Sequence, residues 1–217
     1  MDNGILKFLG SDSGFGDCNN SAYIEDNTKF ILIDCGYTVF NIVRSKFDLK
    51  KYAEIDVIIT HLHNDHAGSL SQFIMYLWFG YGKKVNVYSK CSRIKDYLEI
   101  TGTPEEAYNL TNGNNNLKFI KTNHAKELDA YGFEMKYKDK KFVYTGDTCI
   151  LEPYCEYLED ADEFYVDISV GSDVHLKIKD VLEKLKDIKN NGTEIYIMHT
   201  DDKMYIKQII GNEFIIV

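Results

Sequence analysis

A chain of 217 residues with 44% apolar side chains is long enough to bury a substantial core. Its formal net charge is −9 and no Lys/Arg-rich block offsets it, which argues against broad electrostatic binding of extended nucleic acid. The chain has only two prolines, Pro104 and Pro153, and no Gly/Ser/Pro-rich linker divides it. We therefore predict a single domain over residues 1–217.

The cysteines and the N-terminal segment bear on the compartment. Five cysteines, an odd number without a CxxC pair, are typical of reduced thiols. Residues 1–8 have neither a basic region nor a long apolar region, so we expect no secretory signal. The apolar run 73–79 is too short to cross a bilayer. These features predict a cytoplasmic protein that is not embedded in a membrane.

The chain opens with predicted strands near Ile5–Leu9, at Ser21–Glu25 and at Lys29–Asp34. The glycine-containing loop 10–16 lacks GxGxxG spacing, so we interpret it as a flexible connection rather than as a phosphate-binding loop. Asp34 ends the third strand. It is either a cap or a partner that orients a metal-bound imidazole.

The next predicted strand, Ile55–Ile59, runs directly into the motif THLHNDH. In extended chain alternate residues share a face, so His61, His63 and Asp65 can converge, and the following turn brings in His66. Imidazole and carboxylate at this spacing are ligands for zinc or a similar divalent ion. Surface turns rarely hold three of a chain's six histidines. The pattern therefore predicts a metal site at the carboxyl end of this strand.

The segment Ser69–Phe79 is apolar almost all round and predicts a helix that is buried on more than one side, by the core or by a subunit interface. A strand follows at Lys84–Ser89, and Cys91–Glu99 and Pro104–Leu110 are predicted as short helices. The Asn/Gly-rich run 112–116 predicts a surface loop in the middle of the fold.

In the second half of the chain, predicted strands are again followed by polar side chains that could bind a metal ion. Strand Leu117–Phe119 leads to His124, and a hairpin of Phe133–Tyr137 with Phe142–Thr145 leads to Asp147. Strands that alternate with helices predict an α/β fold. The remaining predicted elements are a strand Phe164–Asp167, a helix Leu176–Ile188, a strand Glu194–Met198 that delivers His199, and a hairpin of Tyr205–Ile210 with Glu213–Val217.

Taken in order, these motifs resemble the metallo-β-lactamase fold superfamily. The resemblance is carried by THLHNDH, by His124 after a strand, by YTGDT around Asp147 and by MHT around His199. It covers essentially the whole chain. It implies an α/β fold, specifically an αββα four-layer sandwich of two similar halves with the site along one edge of the paired sheets.

The resemblance also implies two divalent metal ions, zinc first and manganese as the alternative. Two dications, two aspartates and one bridging hydroxide leave a net charge of about +1, so an acidic chain can still present a cationic pocket to a small anionic substrate. The implied ligands are His61, His63 and His124 for the first ion, Asp65, His66 and His199 for the second, and Asp147 as the bridge between them.

Within the superfamily the motif pattern is closest to the tRNase Z-like phosphodiesterases. In that branch an acidic residue after a strand pairs with a histidine that opens the next helix and acts on the leaving oxygen. Asp167 and His175 match these positions, with aspartate where tRNase Z usually has glutamate. A helix N-terminus disfavours imidazolium, so a carboxylate would be needed to restore it. The alternative is that His175 only decorates an exposed helix start.

These observations predict a dinuclear metal-dependent hydrolase, most simply a phosphodiesterase acting on a small phosphodiester such as a cyclic nucleotide. A metal-bridging hydroxide would attack, His175 would act as general acid, and the catalytic residues would be Asp65, His175 and Asp167. The alternatives are a thioester hydrolase of the glyoxalase II kind, an RNA-processing nuclease of the tRNase Z type and a catalytically silent metal-binding protein. A Gly/Pro-rich arm that would grip tRNA is not recognisable. The apolar helix predicts a homodimer.

Overall fold

The structure is a computed structural model that describes residues 4–217. The first three residues of the N-terminal segment used to judge a secretory signal lie outside this range. The chain divides into two compact units, the first ending at Asn112 and the second beginning at Gly113. This boundary falls within the Asn/Gly-rich run predicted to mark the middle of the fold. A single domain over residues 1–217 stays a prediction.

The first unit is built on a six-stranded sheet in which the strands lie in sequence order. The first two strand pairs are antiparallel and the three later pairs are parallel. The strands are β1 (Lys7–Gly10), β2 (Ser21–Glu25), β3 (Lys29–Ile33), β4 (Glu54–Ile58), β5 (Val85–Tyr88) and β6 (Tyr108–Thr111). The helices are α1 (Val39–Lys46), α2 (Asn64–Ala67), α3 (Leu70–Tyr81) and α4 (Ile94–Ile100), with 3₁₀ turns at Leu49–Lys51 and Glu105–Ala107.

Burial of the central strands explains their nearly continuous apolar sequence. In β3 and β4 the residues Phe30, Leu32, Val57 and Ile58 are buried, as expected for strands covered on both faces. Because β3 and β4 are parallel, their carboxyl ends lie at the same edge of the sheet. Side chains that follow these two strands are therefore brought together at that edge.

The second unit has a six-stranded sheet with the same order and the same sequence of antiparallel and parallel pairs. Its strands are β7 (Leu117–Thr122), β8 (Ala130–Tyr137), β9 (Lys140–Tyr144), β10 (Glu163–Asp167), β11 (Glu194–Met198) and β12 (Ile215–Ile216). Its helices are α5 (Cys155–Leu158), α6 (Ile178–Asn190) and α7 (Lys203–Ile210), with a 3₁₀ turn at Glu152–Tyr154.

Aromatic and aliphatic side chains form the core of the second unit. Phe133 and Tyr144 stack with ring centroids 5.2 Å apart, and Tyr165 and Tyr196 stack at 4.7 Å, which ties together β8 to β11. A second cluster packs α6 through buried residues such as Leu185 against the sheet. The predicted periodicity of this helix is confirmed, although the helix begins at Ile178.

Two local predictions are wrong, namely the C-terminal hairpin and the helix Pro104–Leu110. The segment Tyr205–Ile210 is helical, because Asp202 caps the helix by accepting from the Tyr205 backbone N–H at 2.9 Å and Ile206 and Ile210 bury one face four residues apart. The partner arm, predicted as Glu213–Val217, is the short β12, which runs parallel to β11. In the segment predicted as a helix up to Leu110, the chain turns from a 3₁₀ turn into β6, which adds to the sheet edge beside β5.

Helix α1 is not predicted from the sequence. It buries Val39, Phe40 and Val43 in the first unit. Among the residues that the structure describes, none of the helices is both long and apolar enough to span a membrane.

Candidate metal centre

In the first unit the THLHNDH motif brings imidazole and carboxylate donors together beside the end of β4. His61 and His66 are buried. His61 Nε2 lies 3.0 Å from His63 Nδ1, and His66 Nε2 lies 3.2 Å from Asp65 Oδ2. Asp65 belongs to the short helix α2, so the extended-chain argument applies to His61 and His63 but not to Asp65.

Asp34 contacts a ligand candidate directly. His66 Nδ1 donates to Asp34 Oδ2 at 2.8 Å, while the Thr60 hydroxyl and backbone N–H donate to the same carboxylate at 2.9–3.0 Å. Burial raises the pKa of Asp34, and its hydrogen bonds to His66 and Thr60 oppose that rise. With Nδ1 of His66 engaged, Nε2 is left to bind an ion. Asp34 is thus placed to orient this imidazole, one of the two roles considered for it.

Two glycines allow close packing around Asp65. A Cβ atom at Gly36 would lie only 1.9 Å from the Asp65 carbonyl oxygen, so the side chain of any other residue would displace α2. A Cβ atom at Gly14, in the loop after β1, would lie 3.1 Å from Asp65 Oδ2. The backbone of that loop therefore packs against the carboxylate.

In the second unit two histidines converge on Asp147. His124 Nε2 and His199 Nε2 each lie 3.5 Å from Asp147 Oδ2, and the side chains of all three are almost fully buried. His124 Nδ1 donates to the Val174 carbonyl oxygen at 2.8 Å, which leaves Nε2, the nitrogen towards Asp147, as the one that could bind an ion. His199 directly follows β11 and adopts a left-handed backbone with φ of 53°.

Asp167 and His175 form a hydrogen-bonded pair next to Asp147. His175 Nδ1 donates to Asp167 Oδ2 at 2.7 Å, and the Thr148 backbone N–H donates to the same oxygen at 3.0 Å. Burial lowers the pKa of His175, but the carboxylates of Asp167 and Asp147 outweigh this effect, so the pKa lies above its usual value. The shorter aspartate side chain thus reaches the imidazole.

The helix-start placement of His175 is wrong. Helix α6 begins at Ile178, and His175 lies in the preceding loop, which a β-bridge between Ser169 and Lys177 closes. The argument from the helix dipole therefore does not apply. Burial, not a helix terminus, is what opposes the imidazolium form.

The donor sets fit divalent metal ions. Two ligand atoms that each lie 2.0–2.2 Å from one ion at a tetrahedral angle are roughly 3.3–3.6 Å apart. The 3.5 Å separations around Asp147 and the 3.0–3.2 Å separations within the histidine motif are close to this spacing. Ligand atoms of Asp147, Asp167, His175 and His199 all lie within 4.8 Å of one another.

Several supporting residues are not predicted from the sequence. Thr60 and Thr148 hold the two carboxylates that contact histidines. The Asp201 carboxylate accepts from the Ser169 hydroxyl at 2.6 Å and from the Val170 backbone N–H at 2.9 Å, which anchors the loop that carries His175. Only the position of these polar residues beside predicted ligands could have pointed to them.

Comparison with known proteins gives a family and a fold. The family model described as Anti-Pycsar protein Apyc1 matches residues 5–96 and 88–214. The Apyc1 protein of Paenibacillus harenae is 34% identical over 83 residues, which are 36% of this chain and 33% of that protein. The chain therefore matches about a third of the length of this relative. Apyc1 of Bacillus phage 010DV004 is 24% identical over 235 residues, covering 92% of this chain and 90% of that protein.

Solved structures of other proteins have the same fold. The metallo-β-lactamase fold protein YhfI from Bacillus subtilis aligns with a TM-score of 0.75 at 16% identity, over 97% of this chain and 94% of that one. The short form of human tRNase Z aligns with a TM-score of 0.69 at 13% identity, over 98% and 95%. The predicted metallo-β-lactamase fold is confirmed.

Proposed function

The chain belongs to the anti-Pycsar Apyc1 family, and we propose that it is a metal-dependent phosphodiesterase that hydrolyses cyclic nucleotides. Degradation of cyclic nucleotides is the activity of that family. The observation in this chain that best supports the proposal is the 2.7 Å contact between His175 and Asp167 beside the candidate ligand Asp147. An imidazole held in this way suits protonation of an alkoxide, the leaving group that a cyclic nucleotide releases.

We propose that the ligand candidates of the two units bind two divalent ions. Zinc is the preferred identity of these ions, and manganese is the alternative. When bound, such ions provide hydroxide near neutral pH and stabilise negative charge on phosphoryl oxygens. The proposed ligands are His61, His63, Asp65 and His66 in the first unit and His124, Asp147 and His199 in the second. Two carboxylates among these ligands, Asp65 and Asp147, offset only part of the charge of two divalent ions, so the bound ions would attract a small anion although the whole chain is acidic.

The role of the pair follows from its hydrogen bonds. Asp167 accepts the Nδ1 proton of His175, so Nε2 is the atom that delivers a proton to the leaving oxygen. Asp167 itself keeps its position because Thr148 donates to it and Thr145 accepts from its backbone N–H. His175 thus acts as the general acid, and Asp167 acts by holding the imidazole in position.

A hydrolysis screen tests the proposed function. Purified protein supplied with zinc or manganese should hydrolyse 3′,5′-cyclic nucleotides and bis-aryl phosphodiesters, and a chelator should abolish both activities. The same screen includes thioesters and a tRNA precursor. Thioester hydrolysis without phosphodiesterase activity would make the chain a hydrolase of the glyoxalase II kind, and cleavage of the precursor alone would make it a nuclease.

We also propose a homodimer, formed through α3, in the cytoplasm. Phe73, Ile74 and Leu77 on this helix are fully buried, so the core of the first unit accounts for one face. Phe79 is 72% exposed and Trp78 is only half-buried, so apolar surface remains on the other side.

Sedimentation tests the dimer. The wild-type chain should sediment as a dimer at micromolar concentration, and Phe79→Glu should shift it towards the monomer because a carboxylate would be buried in an apolar contact. Met204→Glu is the matched control, since Met204 is similarly exposed on α7 of the second unit. A monomeric wild-type chain at this concentration would contradict the proposal.

A further inference from the structure

The loop after β1 presents one aromatic side chain to solvent. Phe15 has the largest exposed fraction, 104%, among the large apolar side chains described as exposed. A ring in this position gains no stabilisation from burial in the folded chain. Folding of the first unit therefore does not account for a phenylalanine at this place.

The loop is closed at its base. The Asp12 backbone N–H donates to the Cys18 carbonyl oxygen at 3.1 Å, and the Cys18 backbone N–H donates to the Asp12 carboxylate at 3.1 Å. The Gly16 backbone N–H donates to the Ser13 carbonyl oxygen at 2.9 Å, which forms a turn with Gly14 and Phe15 as its central residues. The hydrogen bonds thus hold Phe15 at the tip of the loop.

The tip lies next to a proposed metal ligand. Gly14 packs so closely on the Asp65 carboxylate that an added Cβ atom would lie 3.1 Å from Oδ2. The Tyr37 hydroxyl donates to the Gly14 carbonyl oxygen at 3.4 Å, and the Tyr37 backbone N–H donates to Asn64 beside Asp65. Phe15 is the next residue after Gly14, so its exposed ring stands one residue away from the backbone that contacts this ligand.

We propose that Phe15 is a stacking platform for the base of the substrate, an inference that rests on the proposed cyclic nucleotide phosphodiesterase. Only the sugar separates the base of a nucleotide from its phosphate. A surface that binds the base must therefore lie beside the metal ligands without being one of them, which is where the loop places Phe15. Every nucleobase has a π-face, so an aromatic ring can stack on purine and pyrimidine bases alike.

Steady-state kinetics with matched substrates tests this platform. In Phe15→Ala, KM for a cyclic nucleotide should rise roughly 5- to 100-fold, the usual worth of one base stacked on an aromatic ring, while kcat changes little. KM for ribose 3′,5′-cyclic phosphate, which lacks the base, should stay the same. Phe15→Tyr should retain the wild-type KM because the ring is kept. Purine and pyrimidine substrates should both be affected.

Controls separate the platform from other roles. Ile100→Ala removes a similarly exposed apolar side chain at the end of α4 and should leave both KM values unchanged. An unchanged KM in Phe15→Ala, or an equal rise with the substrate that lacks the base, would overturn the platform and leave the phosphodiesterase intact. Dissociation of a dimer in Phe15→Ala, without a base-dependent change in KM, would overturn it in favour of a contact between chains. A wild-type chain inactive on cyclic nucleotides would remove both proposals.

Discussion

Asp147→Ala is expected to remove most of the bound metal and nearly all hydrolytic activity. The Asp147 carboxylate lies 3.5 Å from Nε2 of both His124 and His199, and its side chain is 2% exposed. Its loss would remove a negative charge that balances the charge of the ions. It would also remove Oδ2, the oxygen that lies near both histidines. The loss in affinity should exceed the roughly 10–100-fold cost of removing an outer partner of a ligand. Elemental analysis of metal per chain, together with turnover, measures both effects.

The matched control is Asp139→Ala. Asp139 is exposed in the turn between β8 and β9, so its loss removes the same charge without touching the ligand candidates. This variant should keep wild-type metal content. An Asp147→Ala protein that folds and still holds a full complement of metal would contradict the proposed role. Wild-type protein that holds no metal after refolding with excess zinc would contradict the metal site as a whole.

His175→Ala should lower kcat for cyclic nucleotides by on the order of 10²–10⁴-fold while the metal content stays constant. The reason is the leaving group, because a sugar alkoxide requires a proton and the imidazole on Asp167 is placed to give one. The effect should shrink for diesters that release nitrophenolate, which departs without protonation. Asp167→Asn should produce a weaker version, since it disturbs the position of the ring without removing it. Rates with the two classes of leaving group, and metal analysis of each variant, provide the measurement.

Val174→Ala serves as the matched control in the same loop. Its side chain is 40% exposed, and the Val174 contact with His124 uses the backbone carbonyl oxygen, which this substitution keeps. Wild-type turnover is expected for this variant. Unchanged cyclic nucleotide hydrolysis in His175→Ala would mean that His175 has no role in catalysis. Thioester turnover that is insensitive to His175, without phosphodiesterase activity, would favour the glyoxalase II alternative.

Much of the fold was predictable because local periodicity is strong where strands are buried. The strands at Ser21–Glu25 and Glu194–Met198 have the predicted bounds. Periodicity is weaker evidence at the edges of the sheets. The segment Tyr205–Ile210 was predicted as one arm of a hairpin, but a capping aspartate and burial at a helical spacing made 203–210 a helix.

The residues of the candidate site were also predictable only in part. The histidine motif stands out in the sequence because its members are adjacent, and a resemblance to a known family supplied the later ligands. The contact between Asp34 and His66 joins residues 32 apart, and that between Ser169 and Asp201 also joins residues 32 apart. Such contacts depend on which strand ends meet at a sheet edge. A single sequence does not encode that information in any local pattern.

The strand order described above has a consequence for how the chain folds as it is synthesised. In both sheets every strand pairs only with the strands that precede and follow it in sequence. Pairings of this kind close short stretches of chain, which lowers the entropy that must be lost before a contact forms. We expect the first sheet to form as soon as residues up to Thr111 have left the ribosome, before the second has been made. The Asp34–His66 contact, which needs only β3 and the segment after β4, would then form early in synthesis.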